Sequence, residues 1–340
     1  MQASRTTRSA GPLPFGEIFN LTELRNTLRK PVLEWSEVKI LAPRLSLSKP
    51  SDLEQVGCWS TRSPREKEPI TSQNLLDHLG LDVSYTRVPA STQCNSALVD
   101  NGHLALTPLA DKIYPWNPDP SKPDEYEFMT ASHSGARLAP DHRLSCFDLM
   151  YYASLGSRPY EWNTRWSPAW RFVGKYLKFT DSVMDLAKQY VRRALDAQDE
   201  LPQFISVHAR RGDFVHQCYD VPSHCLAPLS AYAHRVKEVQ DVLLEKLAVN
   251  VTEVLITSDE TDPKFWSDVK DIGWKRIDHE AERTLDQHGE WYLPIIDMVA
   301  LSLGLGFVGS EDSTVSIVSA HRVVDWNHGA TRVVGWGGRH

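Results

Sequence analysis

The sequence predicts an α/β protein whose C-terminal half is a doubly wound unit built on a parallel sheet, and three observations carry that expectation. Short apolar, β-favouring runs recur at residues 204–207, 254–257 and 305–310. A polar loop follows each of them. Between them lie longer stretches whose apolar residues fall on one helical face, and strand, helix and strand alternating in this way give a parallel sheet.

The elements follow in order. Asn20 or Thr22 can cap a helix through Leu24 and Leu28, which Pro31 ends. From residue 42 to about 144 the chain is rich in Pro, Ser and Asp with few periodic runs, and Tyr114-Pro115-Trp116-Asn117-Pro118 reads as a turn-filled loop. This first half, residues 1–170, therefore predicts a loop-rich lobe with an incomplete sheet. Residues 146–155 are apolar and read as a strand or short helix. Trp162, Trp166 and Trp170 recur every four residues, a spacing that suits a sugar-stacking platform but more often marks core. In the second lobe, residues 171–340, Thr180 or Asp181 caps a helix with Val183, Leu186, Ala187, Tyr190, Val191, Ala194 and Leu195 on one face. Strand 204–207, helix 231–247, strand 254–257, helix 265–272 and a short strand 275–278 come next. A helix at 292–302 beginning near Pro294, strand 305–310, a helix opening at 311–316 and running to about His321, and a last strand at Val323-Val324 complete the unit.

Composition narrows the classes of function. The 340 residues are 41% hydrophobic and 24% charged, within the range of globular proteins. A net charge of -7 disfavours nucleic acid or an anionic membrane as a general partner, so any anion must bind at a local site. No run approaches the ~18–20 apolar residues of a membrane-spanning helix, and residues 1–14 lack the apolar stretch of a signal peptide. Five cysteines show no C-x-x-C spacing, which argues against structural zinc. Cys218 and Cys225 bracket a turn-rich loop that a disulfide could close. With two N-x-T triplets, at Asn20 and Asn250, they point toward an oxidising, secretory compartment.

Chemistry gathers at the strand ends. The run from Phe204 to Phe214 is a buried strand that delivers His208, Arg210, Arg211 and Asp213 to the carboxyl edge of the sheet, where open α/β sheets bind ligands. Two guanidinium forks suit phosphate or carboxylate oxygens, although they could equally pair with Asp213 or face water. The next strand brings Ser258, Asp259 and Asp262. The third brings Ser313 and Thr314 with the backbone amides of a helix start, an anion seat by its unpaired N–H groups, though plain capping is the blander reading. Arginine and a helix N-terminus with hydroxyls are what a diphosphate leaving group requires. There is neither a G-x-x-x-x-G-K-S/T nor a G-x-G-x-x-G after a strand, so P-loop hydrolysis and dinucleotide redox chemistry are disfavoured. His133, His142 and His279 have no metal-ligand spacing and read as surface or hydrogen-bonded structural groups.

These residues resemble a known family. His208-Ala209-Arg210-Arg211-Gly212-Asp213-Phe214 is similar to the H-x-R-R-x-D-F motif of the GDP-fucose-dependent protein O-fucosyltransferases and their α1,6-fucosyltransferase relatives. Ile295-Ile296-Asp297, then Gly306-Phe307-Val308-Gly309-Ser310, then Ser313-Thr314-Val315-Ser316 resemble its C-terminal motifs, with Asp297 and Ser313 sixteen residues apart. Phe19-Asn20-Leu21 with Leu24 resembles its F-D-L-x-x-L segment, and Leu155-Gly156-Ser157 an L-G-S turn.

The resemblance implies a GT-B-like fold of two Rossmann-like lobes, transfer of fucose from GDP-fucose to a protein or glycan hydroxyl with inversion, no metal, and residence in the lumen of the ER or Golgi. It implies that Arg210 holds the β-phosphate and stabilises departing GDP, while Arg211 supports the site. It places His208 and Asp297 on guanine, Ser313, Thr314 and Val315 on phosphate, and Asp259 in an acidic loop beside them. One departure stands out: the family's N-terminal G-x-N-N-Q-type segment has no counterpart before Phe15, so the first lobe is expected to be truncated. Two other readings stay open. One is a pseudo-enzyme that binds the sugar nucleotide without turnover; the other is a transferase for a different nucleotide.

Overall fold

A computed structural model describes residues 11–41, 54–60, 76, 78–86, 104–105, 127–128, 138–146, 153–154, 167–217 and 225–336. The chain divides into two compact units, one of Met1–Phe15 with Leu28–Gly174, the other of Gly16–Thr27 with Lys175–His340.

In the first unit, β1 (Val56–Ser60) lies between β2 (Leu81–Thr86) and β5 (Pro140–Cys146), parallel to both. The sheet order is β4-β2-β1-β5, with β4 (Glu127–Phe128) antiparallel to β2, while β3 (Leu104–Ala105) pairs with β6 (Ala153–Ser154) separately. A stretch that reads as loops in sequence thus holds three parallel strands. They escape detection because β5, Pro-Asp-His-Arg-Leu-Ser-Cys, is mostly polar and β1 has only five residues. A disulfide joins Cys58 of β1 to Cys146 of β5, a pair that the sequence did not suggest. Cys225 is also disulfide-bonded, and Cys218 lies outside the described residues. Trp170 is buried, in favour of a core role, whereas Trp162 and Trp166 lie outside the described residues.

The second unit claims a distant piece of chain. Its helix α1 (Leu21–Leu28) is capped by Asn20, whose Oδ1 accepts the Glu23 N–H at 2.9 Å. Phe19 forms an antiparallel bridge with Phe179, and their rings stack at 5.4 Å. Arg322 lies buried over the face of Phe179, 4.4 Å from its centroid, so this seam is apolar and aromatic with a cation against it.

The main sheet runs β10-β9-β7-β8, all parallel, from β7 (Phe204–Ala209), β8 (Glu253–Ser258), β9 (Gly306–Ser310) and β10 (Ala330–Val334). Every residue of β7 and β9 is buried, as expected for central strands covered on both faces. Helix α2 (Asp181–Ala194) precedes β7, α3 (Leu229–Leu247) links β7 to β8, and α4 (Pro263–Asp271) follows β8. Helix α5 (Tyr292–Leu303) leads into β9, and α6 (Thr314–Asn327) links β9 to β10. One core sets Ile205, Val207, Val254, Ile256 and Val308 against Tyr232, Val236, Val239 and Leu243 of α3.

Two expectations fail. The strand at 275–278 reduces to a single bridge between Lys275 and Leu255. Val323 and Val324 belong to α6, and the last strand begins at Ala330. The Val-Val pair suggested a strand, but Val323 packs fully buried against Leu301 and Phe307, and that packing overrides its β-propensity. Helix α5 starts at Tyr292 and carries Pro294 in its first turn, where the missing N–H costs no hydrogen bond. Among the described residues, no helix is long and apolar enough to cross a membrane.

Candidate active site

The strand order fixes where a ligand can sit. From β7 the chain crosses through α3 to β8 on one side, and from β9 it crosses through α6 to β10 on the other. The two connections diverge, which opens a crevice beyond the carboxyl ends of β7 and β9, the switch point of the sheet. His208, Arg210 and Ser310 stand there.

Where β7 leaves the sheet, its backbone groups are satisfied by side chains from both neighbours, because a buried polar group left unpaired is costly. The Ser258 hydroxyl donates to Ala209 O at 2.6 Å, and Arg211 N–H donates to Asp259 Oδ1 at 2.8 Å. On the β9 side, Arg210 N–H donates to Ser310 Oγ at 2.8 Å, and Ser310 Oγ donates to His208 O at 3.2 Å. Gly212 closes the turn. A Cβ there would stand 2.7 Å from Asp259 Oδ2, so only glycine lets the loop approach that carboxylate.

The two arginines point into different company. Arg210 pairs with Asp213 at 2.7 Å and Asp259 at 2.6 Å, and its side chain is 32% exposed. Arg211 is more enclosed. Its Nε donates to Glu260 Oε2 at 2.6 Å, its Nη1 to Ala227 O at 2.9 Å, and its guanidinium lies over the Phe265 ring at 4.8 Å. Burial pushes the Glu260 carboxyl up, but hydrogen bonds from Arg211 and from the Thr261 and Asp262 amides outweigh it and hold the group below its usual range.

The β9 side is neutral and buried. Ser316 Oγ accepts the Ser310 N–H at 3.0 Å and lies 2.8 Å from His208 Nδ1. Ser313 Oγ is 3.5 Å from the same nitrogen. Burial lowers the His208 pKa to about 4, so the imidazole is neutral near pH 7. If the Ser316 hydroxyl donates to Nδ1, the ring hydrogen resides on Nε2, and His208 then offers a neutral N–H donor. Ser313 is the N-cap of α6, its Oγ accepting Ser316 N–H at 3.4 Å. Among the described residues the amides of Thr314 and Val315 have no hydrogen-bond partner, and they stand at the positive end of a 14-residue helix. Gly309 allows this closeness, since a Cβ would meet Ser316 Cβ at 2.6 Å.

Hydrogen bonds and ion pairs, with Ser310 as the link, thus join His208 and Ser313 to Arg210, Asp259 and Arg211 at one strand end, with Thr314 and Val315 beside Ser313. Asp297 stands apart from that network. It lies in the first half of α5 and accepts from His279 Nε2 at 3.1 Å, while His279 Nδ1 meets Thr284 Oγ1 at 3.0 Å. Three residues that hold the site have no role assigned from sequence: Ser310 stands there only as the end of the Gly306–Ser310 motif, Glu260 only within the acidic run that follows the second strand, and Tyr232 gave no local signal. Among the described residues no group of three His, Cys, Asp or Glu is placed to hold a metal ion.

Comparison with known proteins adds a family. No curated protein matches the chain in sequence. Structures of POFUT1 in complex with GDP-fucose align over 96% of this chain and 84% of that one, at 13% identity and a TM-score of 0.49. The fucosyltransferase NodZ from Bradyrhizobium aligns over 44% of this chain and 45% of that one, at 12% identity and a TM-score of 0.28. Those likenesses are too low to carry an argument, and the assignment rests on the family model, which matches residues 2–324. With that match spanning both α/β units, the chain belongs to the GDP-fucose protein O-fucosyltransferase family.

Proposed function

We propose that the protein transfers fucose from GDP-fucose to a hydroxyl of a protein or glycan, with inversion. The observation that carries this reading is that Arg210, which follows β7, and the N-terminus of α6, which follows β9, both lie at the carboxyl end of the sheet, where Ser310 joins the two strand ends. As the bond between the fucose anomeric carbon and the β-phosphate oxygen breaks, negative charge grows on the diphosphate. A guanidinium and a helix N-terminus are fixed donors for that charge. The acceptor hydroxyl attacks the anomeric carbon from the opposite face, which inverts the configuration, and its proton is released as GDP departs.

Arg210 is ion-paired in the free protein, so the diphosphate must compete with carboxylates. The Arg210–Asp213 pair is exposed enough that its worth is about 0–1 kcal/mol, against about 1.5–3 kcal/mol for charge-assisted bonds to phosphate. Exchange of Asp213 for the ligand is therefore favourable, while the pair with the less exposed Asp259 can stay in place through Nη1. Arg211, tied to Glu260, Ala227 and Phe265, supports the loop. In this reading the neutral N–H of His208 and the carboxylate of Asp297 serve guanine, and Ser313, Thr314 and Val315 serve the phosphates. The disulfide-bonded Cys58, Cys146 and Cys225 support a secretory-lumen setting.

Calorimetry with GDP tests the donor half, with binding expected and Arg210→Ala weakening it strongly. An absence of binding by the native chain overturns the reading. GDP binding without acceptor-dependent release of GDP from GDP-fucose would instead identify a sugar-nucleotide-binding module.

A further inference from the structure

One buried hydroxyl spans the switch point. Ser310 Oγ, the last side chain of β9, takes the Arg210 N–H at 2.8 Å and reaches His208 O at 3.2 Å. These two backbone groups flank Ala209, the last residue of β7. The ladder between β7 and β9 pairs His208 with Gly309 and then stops, so a side chain takes over at the point where Arg210 leaves the sheet. A third group meets the same oxygen: Tyr232 Oη, from α3, at 2.7 Å.

One arrangement of hydrogens gives every group at this junction a partner. Arg210 N–H can only donate and His208 C=O can only accept, so Ser310 takes the amide hydrogen and gives its own to the carbonyl. Its remaining lone pair then accepts from Tyr232 Oη. All four groups are then satisfied, and the hydroxyl can turn only by breaking a bond. Tyr232 is 2% exposed and Ser310 3%, so both groups are shielded from bulk solvent.

We propose that Tyr232 is a positioning residue for the nucleotide site, acting through Ser310 to fix the backbone from which Arg210 reaches the diphosphate. The inference rests on the reading of Arg210 as a phosphate-binding group and extends it to a residue that touches no ligand. Helix α3, which packs on the opposite face of the sheet from α6, is thereby coupled to the anion site by two hydrogen bonds. Tyr232→Phe removes one hydroxyl, keeps the ring in the core and leaves Ser310 held only by its two β7 partners, His208 O and Arg210 N–H.

The test is a double-mutant cycle on GDP affinity, measured by calorimetry on the native chain, Tyr232→Phe, Arg210→Ala and the pair. Tyr232→Phe is expected to weaken GDP about fivefold, the worth of one neutral hydrogen bond, and to add nothing once Arg210 is gone. A purely structural role would lower the melting temperature and weaken GDP equally in both backgrounds, which would overturn the inference. Native affinity in Tyr232→Phe would overturn it as well, while leaving the reading of Arg210 intact. Loss of affinity in Ser310→Ala, with Tyr232→Phe then neutral in that background, provides the second check. If the native chain binds no GDP, the nucleotide reading itself falls, and this inference with it.

Discussion

The two flanks of β7 hold the same strand end by different physics. Toward β8 the groups are ionic and range from the enclosed Arg211 and Glu260 to the partly exposed Arg210, Asp259 and Asp213, with more carboxylate than arginine. Toward β9 they are neutral and buried: His208, Ser310, Ser313, Ser316 and Tyr232. Partly exposed ion pairs are weak and exchange readily with another anion, whereas buried hydroxyl bonds are shielded from bulk solvent. The ionic flank can therefore release Arg210 to a ligand, while the neutral flank keeps the strand end in register.

The sharpest way to break this comparison is acid. Burial holds the His208 pKa at about 4 against an ordinary 6.5. Above pH 6.5 the folded and unfolded chains both carry it neutral, and its contribution is complete. Between 6.5 and 4 only the unfolded chain takes the proton, so stability falls with pH, by up to about 3 kcal/mol at the lower end. Denaturant midpoints measured at steps from pH 7.5 to 4.5 should show this fall. An unchanged pH profile in His208→Gln would assign it to the ionic flank instead.

The arginines divide the flanks next. Arg210→Ala should cost about 2–3 kcal/mol of GDP affinity with little change in melting temperature. Arg211→Ala should show mainly as about 2 kcal/mol of lost stability, because it strands the enclosed Glu260. Equal effects of the two on both readouts would erase the distinction between ligand and scaffold arginine. Gly212→Ala places a methyl against Asp259 and should lower both stability and GDP affinity by about 1–2 kcal/mol, checked by melting and calorimetry. Asp213→Asn should be smallest, within about 1 kcal/mol. It should raise GDP affinity slightly, because it removes a competitor of the diphosphate from an exposed pair. Weaker binding would make Asp213 a ligand-side group.

The helix and strand order of the second unit was legible because its buried strands are apolar and its helices amphipathic. His208, Arg210, Arg211, Asp259 and Ser313 were legible as strand-end residues for the same reason. The first unit was less readable, since β5 carries Asp, His, Arg and Ser where alternation was sought. Val323 misled because a β-branched pair looks the same whether a helix or a strand buries it.

The sequence alone therefore determined the class of fold, the residues delivered to the carboxyl edge of the sheet, and the family motifs among them. Only the tertiary structure decided that β9 and β8 flank β7, that Asp259 spans both arginines, and that Tyr232 stands behind Ser310. The reason is one of range. Periodicity records whether a residue is buried, which is a local property, whereas the partner of a hydroxyl or a guanidinium depends on which distant segment the fold brings within 3 Å, a distance typical of a hydrogen bond.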